Sequence, residues 1–390
     1  MIKLSAISLM QRAREETGLE DFGDPWFEGP LRALVDHVNR DAGLTAPESS
    51  AGARIQSALA DRLLLTQYFK DTPAALDEQV DVACAIIGLP RTGSTMLHRL
   101  LASSPQLTAL WWWETAFPIP FPGEQPTDPT PRIEAGKQMV DWLLSEWPDF
   151  ESIDPMDAEA INEEVVLLDR TFLSTTYDSM MPIHAYGHWQ AQQDHRPAMR
   201  DLRRFMQAIQ HQRRQRGERV RPWVFKTPHH VLGGLRGLLD EWPGTKLIMT
   251  HRDVAEVLPS YCSMCASLSV NSSTTYRKED QGAHWTSRFA RGLADFETLR
   301  ETLPADQVID VRYRETVDDP QGTGERVMQA LGLTVTDADR AAMAACIADN
   351  RREARPRHKY SAADFGLTAE GIAADFAAYH QTYLGDGVVP

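Results

Sequence analysis

Over the first 78 positions, apolar residues recur at spacings of three and four with charged residues between them, most clearly at Ala6–Thr17, 31–41 and 54–69. That period is the turn of an α-helix, so each stretch predicts a helix with one buried stripe. The Asp21-Phe22-Gly23-Asp24-Pro25 sequence is turn punctuation. No cluster in this extension points to chemistry, and it is expected to pack as a helical cap on the main domain or on a substrate cleft. From Val82 the pattern changes. Short apolar runs at 82–87, 223–225, 246–250 and 307–311 alternate with helical periodicities at Ser94–Ser103, 231–241, 254–267 and 283–302. Strands alternating with helices predict an α/β fold of the P-loop type, a parallel sheet flanked by helices.

The stretch 118–131, rich in Pro, Thr and Asp, predicts a loop. Behind it come three amphipathic patterns, at 133–146, 158–173 and 196–216. The predicted organisation is therefore a helical N-terminal extension over 1–78 and a main domain over 79–390 that carries a helical insertion at 118–218, placed to build a substrate pocket. The part from 322 to 384 again reads helical, interrupted by the basic stretch 351–359.

Composition narrows the classes. A chain of 390 residues with 42% hydrophobic content can bury a sizeable core. Its apolar runs fall short of the roughly 20 residues of a spanning helix, and Lys3, Arg12 and Arg14 interrupt the beginning. A formal charge of −15 argues against general nucleic-acid binding. Four cysteines, Cys84, Cys262, Cys265 and Cys346, show no disulfide framework, and the single C-x-x-C is read as packing rather than a metal or redox site. These features predict a soluble, unprocessed, cytoplasmic protein without a bound metal.

The chemistry begins at CAIIGLPRTGSTMLHRLL, residues 84–101. Gly88 and Gly93 have the spacing of the nucleotide motif G-x-x-x-x-G-K-[ST], and Thr95 occupies its last position, but Ser94 stands where the lysine would be. The loop Pro90, Arg91, Thr92, Gly93, Ser94 and Thr95 can still present backbone N–H groups and a helix N-terminus to a phosphate or sulfate, with Arg91 as its cation. Such a loop suits a nucleotide whose reactive group hangs on the 5′-phosphate better than it suits ATP. A second strand delivers Arg252, and Ser260 follows eight residues later, a pair suited to a second phosphate.

These two segments together resemble the sulfotransferases that use 3′-phosphoadenosine 5′-phosphosulfate (PAPS). The loop GLPRTGST is similar to their 5′-phosphosulfate loop and Arg252 with Ser260 to their 3′-phosphate motif. VRYRETVDDP, 311–320, is similar to the segment that follows a later strand in the family, placing Tyr313 beside the donor. Arg351, Arg352, Arg357 and Lys359 are similar to the family's C-terminal basic loop, although Glu353 and Pro356 replace its glycines. With KTPHH at 226–230 and the N-terminal extension, the chain looks most like the bacterial members.

The resemblance implies a role for Lys226 opposite the reacting sulfonyl group, where with Arg91 it would stabilise charge on the leaving phosphate. It also implies a base, since the acceptor hydroxyl must lose a proton. Glu114, in WWWET, His229 and His230 are the candidates; Glu114 could equally cap a helix and His229 could cap the one that follows it. Adenosine 3′,5′-bisphosphate would be the product. The ten tryptophans and the apolar insertion lean towards a small-molecule or lipid-like alcohol or phenol as acceptor. Two rivals stand beside this reading. A P-loop phosphotransferase would need the missing lysine and an acid for magnesium, and a non-catalytic nucleotide-binding protein could dispense with Glu114 and Lys226. Elsewhere, Glu159, Glu163, Glu164 and Asp169 read as one solvated helical face, and the aromatic stretch 177–189 reads as acceptor pocket or core. His195 and His211 have no metal-ligand spacing.

Overall fold

The run of buried apolar residues that starts at Val82 forms β1 (Val82–Ile86), and the computed structural model describes the chain over residues 3–44, 50–146, 156–269, 273–350 and 360–385. The other strands are β2 (Leu110–Trp111), β3 (Ile161–Asn162), β4 (Trp223–Lys226), β5 (Lys246–His251) and β6 (Val308–Arg312). The chain divides into two units.

One unit comprises Asp81–Ala109, Arg221–Met264 and Arg277–Pro390. Its sheet has the order β4-β1-β5-β6, and every neighbouring pair is parallel. Four of the five β1 residues and all four of β4 are buried, as expected where helices cover both faces of a parallel sheet. Alternation divides the side chains between the faces. Cys84, Ile86, Val224, Ile248, Ile309 and Val311 join Leu97, Leu100 and Leu101 of the helix Ser94–Ser103 and Val327, Met328 and Met343 of two later helices in one core. Phe225, from the opposite face of β4, meets Trp242 edge-on at 5.4 Å.

The other unit comprises Met1–Val80, Leu110–Val220 and Cys265–Tyr276. Its N-terminal helices Ala6–Thr17, Glu28–His37 and Ser50–Asp71 lie where periodicity predicts them. With Phe27, just before the second helix, they bury Leu9, Leu31, Leu34, Ile55 and Leu59 against Phe172, Tyr177, Ile183 and Tyr186 of the insertion, so these two stretches of sequence share one core. Buried Arg62 is paired with Asp201 at 2.6 Å. A backbone bond from Thr274 to Gly43, 2.9 Å, and one from the Ser273 hydroxyl to Ala42, 2.6 Å, tie in the last segment.

Two expectations are corrected in this unit. The stretch 158–173 is not one helix: Ile161–Asn162 pairs antiparallel with Leu110–Trp111, a single turn follows at Val165–Leu168, and Phe172 ends the stretch with φ 57°. Nor is its acidic set a solvated face. Glu159 is exposed and meets Lys137 at 3.1 Å, but Glu164 and Asp169 are buried, and Asp169 is held by Arg54. For the aromatic stretch, the core reading holds at Tyr177 and Tyr186, both buried and donating to the carbonyls of Asp169 and Phe172. Cys262 and Cys265 are both buried on the helix Val254–Ser269. Among the described residues no helix is long and apolar enough to cross a membrane.

Candidate active site

The carboxyl ends of the four parallel strands carry the candidate residues. After β1 the chain turns through 87–93 into the helix Ser94–Ser103, whose N-cap, Gly93, has φ 84°. Two glycines are required by what lies against them. A Cβ on Gly88 would stand 1.9 Å from the Thr250 hydroxyl and 2.5 Å from its carbonyl, and one on Gly93 would stand 2.8 Å from the Tyr313 ring. The loop therefore lies flush on β5 on one side and on the residue following β6 on the other. Thr92 pins it, donating to the Leu89 carbonyl at 2.6 Å and lying 2.6 Å from the Thr250 hydroxyl. Arg91 adopts φ 65°, a left-handed backbone that a residue with a Cβ rarely takes. That turn sends its guanidinium back over the loop, where Nε donates to Ser260 Oγ at 3.2 Å.

Arg252 completes the cradle. Its Nη1 donates to the Arg91 carbonyl at 2.9 Å, and its guanidinium lies 4.1 Å from the centre of the Tyr313 ring. Nε and Nη2 donate to Glu256 at 2.9 and 2.6 Å. The structure thus brings Arg91, Gly93, Arg252, Ser260 and Tyr313 together, although three separate stretches of sequence supply them. Lys226, buried at the end of β4, donates to Thr95 Oγ1 at 3.2 Å, which brings a second cation to the first turn of the loop helix. Pro90, Thr92 and Ser94 are buried within the loop.

His229 and His230 follow Lys226 on the same strand-end loop; both are buried, their rings edge-on at 5.9 Å. His229 N–H donates to Thr227 Oγ1 at 3.2 Å, and the His229 side chain makes no cap bond to the helix that follows. Glu114 lies in the other unit. It is buried, with Oε1 accepting from Arg213 Nε at 2.8 Å and Oε2 from Arg213 Nη2 at 2.5 Å and from the Trp111 N–H at 3.1 Å. The geometry is that of a helix cap and a bidentate ion pair, with both oxygens engaged. Arg351, Arg352, Arg357 and Lys359 lie outside the described residues.

Two residues near the cradle carry no motif and escaped the sequence reading. Glu256 was hidden as a surface acid one turn beyond Arg252. His98 was hidden in the apolar face of the loop helix. Its ring is buried beside Lys226, and burial first and the Lys226 charge second push its pKa down to about 3, so it is neutral; a bond to the Val224 backbone opposes both.

Fold and loop together define a parallel α/β protein with a tight glycine turn after its first strand and cations at the neighbouring strand ends. A family model for the sulfotransferase family matches residues 84–337, and the chain belongs to that family. Among solved structures it is similar to sulfotransferase STF1 from Mycobacterium tuberculosis H37Rv, with 29% identity, a TM-score of 0.84, and coverage of 96% of this chain and 99% of the other. Sulfotransferase STF9 from Mycobacterium avium shares the fold at 23% identity and TM-score 0.83, over 97% of this chain and 96% of that one. A comparison with curated protein sequences finds no match. The chain is thus a transferase of the sulfotransfer class, with the parallel sheet and flanking helices its sequence predicts.

Proposed function

We propose that this enzyme moves a sulfonyl group from PAPS to the hydroxyl of a small-molecule or lipid-like alcohol or phenol by in-line displacement, with adenosine 3′,5′-bisphosphate as product. The cradle of Arg91, Gly93, Arg252, Ser260 and Tyr313 carries the reading. It combines a turn that only glycine fits with two guanidinium groups and a hydroxyl, a donor set matched to a ligand with two separated anionic groups. The Walker lysine position holds Ser94, which weighs against a phosphotransferase.

PAPS supplies an activated sulfonyl group, and this chain's residues do the rest. The loop amides and Arg91 hold the 5′ end, and Arg252 with Ser260 holds the 3′-phosphate. Arg91 and Lys226 stabilise the negative charge that grows on the departing phosphate. His229 accepts the acceptor's proton. It sits three residues from Lys226 on one loop, whereas both oxygens of Glu114 are taken up by Arg213 and the Trp111 amide.

Calorimetric titration with adenosine 3′,5′-bisphosphate tests the donor site, and turnover with PAPS tests the base. Arg252→Ala is expected to weaken bisphosphate binding by about a hundredfold, the scale of a lost charge-assisted contact. His229→Gln is expected to lower kcat at least about a hundredfold with bisphosphate affinity retained. Glu114→Gln should lower thermal stability and leave kcat within a few-fold. The reverse pattern would return the base to Glu114, and a preference for magnesium-ATP would return the phosphotransferase.

A further inference from the structure

Beyond the residues matched by the family model, the helix Ala377–Tyr383 brings two tyrosines against the end of β5. There they enclose His251, the residue before Arg252. The His251 ring is buried and stacks on Tyr383 at 4.1 Å and 11° between planes. Both ring nitrogens are bonded: Nδ1 lies 3.0 Å from Tyr379 Oη and Nε2 lies 2.8 Å from Asp310 Oδ1. Asp310 in turn accepts from Arg300 through both oxygens, at 2.8 and 2.6 Å, and the Tyr383 hydroxyl donates to Glu297. At the near end of this network, His251 is the last residue of β5, the strand end from which the chain passes into Arg252.

The directions of these bonds form one consistent sequence. Asp310 is an acceptor only, so His251 Nε2 carries a proton and donates to it. Nδ1 is matched by the Tyr379 hydroxyl. Burial keeps the Tyr379 phenol protonated well beyond its ordinary range. A substitution anywhere along the sequence leaves a buried polar group unmatched.

We infer that Tyr379 is a positioning residue for the donor site: through His251 it fixes the strand end from which Arg252 leaves and so aims the guanidinium across the loop. The need for such a brace is visible in the site. Arg252 stands at the point where β5 ends, and its side chain must reach the Arg91 carbonyl and the Tyr313 ring together, so a small rotation of its backbone would break both. The C-terminal helix thereby contributes to nucleotide affinity without touching the nucleotide. This inference rests on the PAPS reading above.

The test is titration of the full-length protein with adenosine 3′,5′-bisphosphate, in Tyr379→Phe, Arg252→Ala and the double variant, together with steady-state turnover. Phenylalanine keeps the ring packing and removes only the hydroxyl. Tyr379→Phe is expected to weaken bisphosphate binding about three- to tenfold, the scale of one mispositioned bond, and to raise the KM for PAPS while kcat at saturation is unchanged. In the Arg252→Ala background the same change is expected to cost nothing further, because a brace without its guanidinium has nothing to aim. His251→Gln, one link nearer Arg252, should reproduce the pattern and stands in if Tyr379→Phe does not fold. Affinity unchanged in Tyr379→Phe, or an equal loss with and without Arg252, would reduce the network to a structural role and overturn the inference. Full bisphosphate affinity in Arg252→Ala would instead show that the donor-site reading itself has failed, and the inference falls with it.

Discussion

Arg252 makes three contacts of different kinds: a carbonyl, a carboxylate and an aromatic face. Only the carboxylate opposes the proposed task. Glu256 is largely exposed and lies on the guanidinium edge formed by Nε and Nη2, so a phosphate bound to Arg252 is a near neighbour of a second negative charge. At such separations in a solvated setting the repulsion is on the order of 1 kcal/mol. The Arg91 carbonyl and the Tyr313 ring hold the guanidinium without Glu256, so losing the carboxylate charge is expected to matter more than losing its restraint. Glu256→Gln should bind adenosine 3′,5′-bisphosphate about fivefold more tightly, with the gain shrinking as salt is raised in the calorimeter. Weaker binding would mean that the restraint is the larger effect.

Within elements, the loop helix Ser94–Ser103 shows how polar chemistry is buried inside an apolar pattern. His98 lies on its inner face, neutral, with its pKa pushed down to about 3 by burial and then by Lys226. An unfolded histidine titrates near 6.5, so between about pH 3 and 6.5 the unfolded chain binds a proton that the folded chain refuses. Stability therefore falls as pH drops through that window. In His98→Asn this contribution is absent, and urea unfolding between pH 7 and pH 5 should show a pH slope shallower by about half a proton at pH 6.5 and approaching one proton, roughly 1.4 kcal/mol per pH unit, at pH 5. An unchanged slope would place the histidine charge elsewhere.

The same element also shows what the sequence can express. The strand, loop and helix at 82–103 were legible because β-branched runs, two glycines and helical spacing each have a local cause, and Arg252 with Ser260 was legible from their separation. The stretch 158–173 was not. Its helical spacing at Val165–Leu168 is real, but pairing of Ile161–Asn162 with a strand fifty residues away overrides it, and Asp169 is buried because Arg54 is there to meet it. Glu114 could be nominated from its surroundings in sequence, yet only its partner Arg213, ninety-nine residues on, shows that its oxygens are engaged. His251 and Tyr379 are 128 residues apart and carry no pattern.

At the scale of the whole molecule, the charge of −15 and the proposed anionic donor set long-range and local fields against each other. Arg91, Arg252 and Lys226 act at contact distance, while the net charge acts over tens of ångströms and is screened first. Stopped-flow association of adenosine 3′,5′-bisphosphate is therefore expected to accelerate as salt rises from about 10 to 100 mM, where the Debye length shortens from about 30 to 10 Å. A steady slowing would mean that the local basic groups dominate the approach as well as the bound state.

The shared core of the N-terminal helices and the insertion bears on how this enzyme can be recombined. Phe27, Leu31 and Ile55 pack with Phe172, Tyr177 and Tyr186, and Gly43 is bonded to Thr274, although these segments are far apart in the gene. A chimera that exchanged only residues 110–220 with a relative would sever that core. Crossovers that keep 1–80, 110–220 and 265–276 from one parent leave that core within a single parent's sequence.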